Sequence, residues 1–285
     1  MPVTRRGSDV KHTGTKNVNT VPAINGWHWV LTGFALFRKS PAMWGFLALS
    51  YIMLMQLLGM IPVFGWFAAT VLIPAFSASF MIASRALDQG GKLRFDLLLS
   101  GFKSNLPALL GQGGLYLASG LAILGLSALV DGGLLLQLMV LGAKPPAAAF
   151  EDGSLAAAAM LAATLYLPVL AAFWFAPALS SWRNMSALQA LFYSFFAALR
   201  NWRAFFAYGL ALVLLSLACG FALFVLALLV RGMFGNKSQD AFVLVMLPVM
   251  LTYVPTLFAS FYASYRDVFP DADNAPAGEI AADAQ

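Results

Sequence analysis

A chain of 285 residues that is 61% hydrophobic and only 10% charged cannot be an ordinary water-soluble domain, because such domains carry about 25% charged residues. Its one cysteine, Cys219, excludes an intrachain disulfide framework and a thiol cluster. The net charge of +5 comes from basic residues in small groups between apolar runs, a pattern that fits one face of a membrane and not a nucleic-acid footprint.

Residues 1–21 are polar and aperiodic and are expected to form a disordered tail. No apolar stretch of signal-peptide length occurs there, and Arg5-Arg6 lacks the apolar core that follows a twin-arginine signal. Insertion is therefore expected to begin with the first span. Trp27, Val30, Leu31, Phe34 and Phe37 then recur at helical spacing over 24–39. That segment is too short to cross and is expected to lie in the interface.

From Ala42 to Ser84 there is no Lys, Arg, Asp, Glu or His. Crossing a hydrocarbon core about 30 Å thick takes about 20 apolar residues, so this stretch holds two spans, 42–60 and 65–84, joined by a Pro- and Gly-containing turn at 61–66. A charged connector, 85–104, leads to a glycine-rich third span, 106–130, whose small residues suit close helix approach in lipid. The loop 131–154 contains the apolar run Leu134–Leu141, which is too short to cross and is expected to be interfacial or re-entrant. A fourth span covers 155–178. A second amphipathic helix, 182–203, carries Met185, Leu188, Phe192, Phe195, Leu199 and Trp202 on one stripe. Spans five and six cover 204–230 and 241–265, and an acidic tail, 269–285, closes the chain.

The expected fold is all-α: a single polytopic membrane domain, 22–268, of about six transmembrane helices with two amphipathic interfacial helices. Of the 17 basic residues, all but Lys144, Arg231 and Lys237 fall in the N-terminal segment, the two inner connectors or the C-terminal tail. The positive-inside rule then puts both termini in the cytoplasm of a bacterial inner membrane. Trp44, Trp66, Trp174, Trp182, Trp202 and Tyr265 near predicted span ends supply the aromatic belt.

The chain also reads as one hairpin used three times. Phe34-Ala35-Leu36-Phe37-Arg38-Lys39 matches Phe196-Ala197-Ala198-Leu199-Arg200-Asn201, with a shorter echo at Gly101–Asn105. Pro74 precedes Arg85, and Pro255 precedes Arg266, by the same interval, and Ala78-Ser79-Phe80 recurs in register as Ala259-Ser260-Phe261. Pro168 precedes Arg183 by one further helical turn. Interior prolines mark the even spans only. Each frees a backbone carbonyl that must find a partner in lipid, and Thr70, Thr164 and Thr252 lie three or four residues before them.

The opening pattern Gly26-Trp27-His28-Trp29, Gly33-Phe34, Leu36-Phe37-Arg38-Lys39 and Pro41 before Trp44 resembles a family of uncharacterised bacterial inner-membrane proteins. The closing pattern Pro255, Ala259-Ser260-Phe261 and Arg266-Asp267 resembles a broader group of six-span domains, which includes the membrane portion attached to some glycerophosphodiester phosphodiesterases. The likeness covers about 22–268 and implies a fold but no chemistry, since the enzymatic domain of those fusions has no counterpart here.

His12 and His28 have no partners at metal-ligand or triad spacing, so no metal, cofactor or catalytic centre is expected. Asp88 and Asp96 are expected to pair weakly with the basic residues around them. An ionisable residue at mid-membrane would be the default functional signal, and the spans contain none. The candidate intramembrane polar residues are Gln56, Gln112, Thr70, Thr164 and Thr252; the candidate helix-end anchors are Arg85, Arg183 and Arg266. These residues point to a non-enzymatic inner-membrane protein whose partners are the bilayer, specific lipids or other membrane proteins, and not nucleic acid. A passive carrier or channel for a small neutral or amphipathic solute is the alternative.

Overall fold

The computed structural model describes residues 18–62, 64–144, 146, 148–234 and 238–270, with side chains left out at 148, 230, 233–234, 238–245 and 247. The described chain is helical: α1 (Asn25–Lys39), α2 (Pro41–Gly59), α3 (Phe64–Asp88), a 3-10 segment (Phe95–Lys103), α4 (Leu106–Asp131), α5 (Leu134–Leu141), α6 (Ala148–Glu151), α7 (Ser154–Trp174), α8 (Ala176–Arg183), α9 (Ala187–Arg200), α10 (Trp202–Phe234) and α11 (Ser238–Val268). Among the described residues, five helical segments are long and apolar enough to cross a membrane: 41–59, 64–88, 106–131, 154–183 and 202–229. The chain is therefore an all-α polytopic membrane protein. The sixth expected span, 241–265, falls within the 31-residue α11, and its outer part, 241–245 and 247, lies outside the residues whose side chains are described.

Local chemistry sets the boundaries. Ser40 leaves the helical region, which a following proline disfavours, and Pro41 opens α2, where a missing N–H costs nothing. Asn105 caps α4 by accepting from the Ala108 N–H. Asp131 accepts from the Gly133 and Leu135 N–H groups. The apolar run Leu134–Leu141 thereby folds as α5, packed on α4 and α7 at the end of the bundle remote from the basic connectors. Span four is longer than the expected 155–178, and it is broken. Pro177 sits in the first turn of α8 and cannot donate into a continuous helix, so α7 ends at Trp174 and α8 restarts after Phe175.

α3, α8 and α11 form the centre of the bundle. Ser79, Ala83 and Ser84 of α3, Leu179 and Ser180 of α8, and Ala259 and Ala263 of α11 are all buried. Trp182 joins Tyr262 and Tyr265 across the α8–α11 contact, with ring centroids 6.2 and 4.8 Å apart. α3 is the most enclosed span, and α10 the least.

Three amphipathic elements pack around this centre: α1 against α11 and α10, the 3-10 segment against α3, and α9 against α7 and α8. Each packs one face on the bundle and turns the other outward. On α1 the buried residues are Gly26, Trp29, Val30, Gly33 and Leu36, while Trp27, Leu31 and Phe34 of the aromatic stripe face outward. On α9 the buried residues are Ala190, Ser194, Ala197 and Ala198, and Leu188, Phe192 and Leu199 face outward. Lipid tails are as apolar as leucine, so no hydrophobic gain comes from hiding the large side chains. The small face of α9 goes to the protein interior instead, while α1 approaches through Gly26 and Gly33 and also buries Trp29, Val30 and Leu36. Of the expected N-terminal tail, residues 1–17 lie outside the described residues. Residues 19–21 are held in place: the Asn19 N–H donates to the Val268 carbonyl, and Asn201 binds both Asn19 and Val21.

Candidate functional site

The three expected anchor arginines meet at one end of the bundle. Arg85 is buried and lies 5.3 Å from the Trp182 ring centroid. Arg183 lies 5.1 Å from the Phe269 ring centroid. Arg266 donates to Asp88 at 2.6 Å, and Tyr262 donates to the same carboxylate oxygen. Burial opposes the Arg266 charge, but the Asp88 carboxylate, Tyr262 and Asp267 together outweigh it and hold the guanidinium above its usual pKa. The contacts run in a circle: α3 to α8, α8 to the end of α11, and α11 back to α3. Lys39, at the end of α1, reaches the Leu87 carbonyl, and Asn105 reaches that of Met185. The basic-rich connectors therefore come together at this basic end.

Two acids there have roles beyond those expected. Asp88 does not pair with the basic residues of its own connector; it crosses to Arg266, where the two side chains are 23% and 33% exposed. Asp267 accepts from the Asn25 amide and the Trp29 indole, which ties α1 to the end of α11. Only Asp96 pairs locally, with Arg94, and both are well exposed. Asn201 was not singled out by its type. Its position just before a span, like that of Asn105, was the available signal.

The intramembrane polar residues divide. Gln112 is fully buried and its amide donates to the Ala176 carbonyl and the Ser180 hydroxyl, bridging α4 to α8 beside the break at Phe175. Gln56 is exposed near the end of α2. The threonines do not reach across helices. Thr70, Thr164 and Thr252 each donate back to the carbonyl four residues earlier, Trp66, Met160 and Pro248, the local bonding that bends helices. Interior hydroxyls outside the candidate set, Ser79 and Ser260 of the Ala-Ser-Phe repeat among them, make the cross-helix links: Ser79 accepts from the Gly101 N–H, Ser194 from the Phe175 N–H, and Tyr208 lies 2.6 Å from Ser260. Gly26, Gly33, Gly101 and Gly113 permit close backbone approaches. A Cβ at Gly33 would strike the Thr256 carbonyl and the Ser260 N–H of α11, and one at Gly101 would strike Ala75 and Ser79 of α3.

Two cavities open between the helices. One, of about 520 Å³, lies between α1, α10 and α11 and is lined by Trp27, Leu31, Phe34, Leu215, Cys219, Val249 and Thr252, among others. The second, of about 450 Å³, lies between α3, α4 and α7 beneath Met139 of α5, and it presents Trp66, Thr70, Tyr116 and Tyr166. Among the described residues, no three His, Cys, Asp or Glu side chains cluster closely enough to share a metal ion.

Neither a described protein family nor a solved structure matches the chain. A Burkholderia thailandensis protein named "Probable inner membrane protein" is 38% identical to it over 255 residues, which is 87% of this chain and 92% of that protein. The chain belongs to this family of inner-membrane proteins. For an inner-membrane protein the outward-facing aromatic stripes of α1 and α9 need no protein cover, because lipid supplies it. The basic end, where the connectors and anchor arginines meet, is where such a protein contacts phospholipid headgroups.

Proposed function

We propose that this inner-membrane protein is non-enzymatic and acts by binding lipids or other membrane proteins, with both termini in the cytoplasm. The observation that carries this reading is how its interior polar groups are used. Gln112, Ser79, Ser194, Tyr208 and Ser260 are engaged in joining helices, and the larger cavity has an almost entirely apolar lining. Among the described residues, polar groups used in this way favour a binding role over nucleophilic chemistry or a wet path for ions. The 14 basic residues of the N-terminal segment, the two inner connectors and the C-terminal tail, against three elsewhere, support the cytoplasmic orientation. Purification in mild detergent, followed by mass spectrometry of co-isolated lipids and proteins, tests the reading. The same lipids or partners are expected in every preparation, and retention of none would sink it.

A carrier of a small amphipathic solute is the second reading. The 450 Å³ cavity favours it, since Thr70, Tyr116 and Tyr166 put hydroxyls on an otherwise apolar wall. Solute flux in proteoliposomes would establish it.

The architecture supports a threefold repeat in both readings. Gly33 meets α11 one and five residues after Pro255, and Gly101 meets α3 one and five residues after Pro74. The circular contacts of Arg85, Arg183 and Arg266 have the same sense at each step.

A further inference from the structure

We propose that the groove between α1, α10 and α11 holds one acyl chain of an anionic phospholipid whose phosphate lies against Arg203. This inference rests on the lipid-binding reading and names the site and the lipid class. The groove walls run from Ala211 to Cys219 on α10 and from Pro248 to Thr256 on α11. Each wall spans nine residues, about 12 Å of helix. Trp27, Leu31 and Phe34 of α1 close one side of it.

Size and chemistry select the occupant. Two turns of a helix 10–12 Å wide would need roughly 1000 Å³, about twice the 520 Å³ available, so a partner helix is too thick. Water is disfavoured by walls with so few polar atoms. A slender hydrocarbon chain fits, and α10 turns its apolar surface to the bilayer that would supply one.

Charge then selects the headgroup. Arg203 is exposed at the start of α10, about 12 Å along the helix from Ala211. Its guanidinium lies 5.6 Å from the Trp202 ring centroid, and no carboxylate is paired with it among the described residues. His28 adjoins Trp27 and is exposed. A cation at the headgroup level below an apolar slot is the complement of an anionic phospholipid.

The test reconstitutes the full chain in vesicles of phosphatidylethanolamine and phosphatidylglycerol that carry a phosphatidylglycerol probe with a diazirine in one acyl chain. Photolabelling should map by mass spectrometry to 211–219 and 248–256. Cys219→Trp, which fills the slot, should lower that labelling roughly tenfold and leave Phe221 and Phe224 on the lipid-facing side unchanged. Val249→Trp, from the opposite wall, should do the same, and gel filtration shows whether each variant is folded. Arg203→Gln should reduce labelling by the phosphatidylglycerol probe but not by a phosphatidylethanolamine probe. Labelling spread evenly along α10 and indifferent to both tryptophans would overturn the inference, as would equal groove labelling by the two probes. An unlabelled groove in a protein that still retains a lipid or partner through purification would overturn this inference alone; retention of nothing at all would remove the broader reading.

Discussion

Replacing Gly33 with alanine is the most direct test of the way α1 docks. A Cβ there would sit 2.5 Å from the Thr256 carbonyl oxygen and 2.8 Å from the Ser260 nitrogen. Carbon–oxygen contacts settle at about 3.3–3.6 Å, so α1 and α11 must separate by about 1 Å. Both obstructing atoms are backbone, and no rotamer change relieves them. Overpacking of this kind costs about 1–3 kcal/mol. Because the obstruction is backbone on both sides, the cost lies at about 2 kcal/mol or above; alanine recovers up to about 1 kcal/mol of helix propensity, which leaves a net loss of about 1–2 kcal/mol. Gly45 of α2 provides the control, since a Cβ there meets nothing within 4 Å. Gly45→Ala should therefore be neutral or stabilising by up to about 1 kcal/mol. The assay is reversible unfolding in mixed micelles at rising dodecyl sulfate fraction, followed by circular dichroism. Gly101→Ala should behave like Gly33→Ala, because Gly101 approaches α3 as Gly33 approaches α11. A Gly33→Ala protein as stable as its parent would refute the close approach. Unequal losses at the two glycines would count against their equivalence.

The Asp88–Arg266 pair is half-buried, between exposed pairs worth about 0.2–1 kcal/mol and buried ones that cost about 3–5 kcal/mol to break. A double-mutant cycle of Asp88→Asn and Arg266→Gln should give a coupling of about 1 kcal/mol, and a value under about 0.3 kcal/mol would mean that the contact contributes nothing. Gln112→Leu should cost about 1–3 kcal/mol by orphaning the Ala176 carbonyl and Ser180, whereas Gln56→Leu on the exposed end of α2 should stay within about 0.5 kcal/mol; the same unfolding assay distinguishes them. Reporter fusions after Arg85, Arg203 and Gln285 should read cytoplasm, and one at Lys144 the opposite side; an outer reading at Gln285 would require an odd number of spans.

The sequence alone determined the class of this protein and most of its span limits. Lipid imposes its length and polarity requirement on each segment separately. A charge-free run such as 42–84 therefore declares itself without reference to any neighbour. Caps and breaks such as Pro41 and Asn105 are equally local. The break at Phe175 was legible in Pro177 as well, but it was hidden inside a hydropathy pattern that runs through it.

Only the tertiary structure decided which face of each helix is inside. In water the aromatic stripes of α1 and α9 would mark the core, and periodicity would suffice to find it. In lipid the large and small faces are equally content outside, so interior placement goes to whichever face fits the neighbouring helices: Ala190, Ser194 and Ala197 on α9, and Gly26 and Gly33 together with Trp29 and Leu36 on α1. Whether Gly33 does so depends on what stands opposite it, here Thr256 and Ser260, more than two hundred positions away. The polar residues divided for the same reason. Gln112 and Gln56 look alike in the sequence, and only the arrival of α8 beside Gln112 gives that amide its partners. Asp88 likewise sits among basic residues in its own connector, yet the fold presents it with Arg266, because α3 and α11 end at the same level and a half-buried carboxylate there needs a cation.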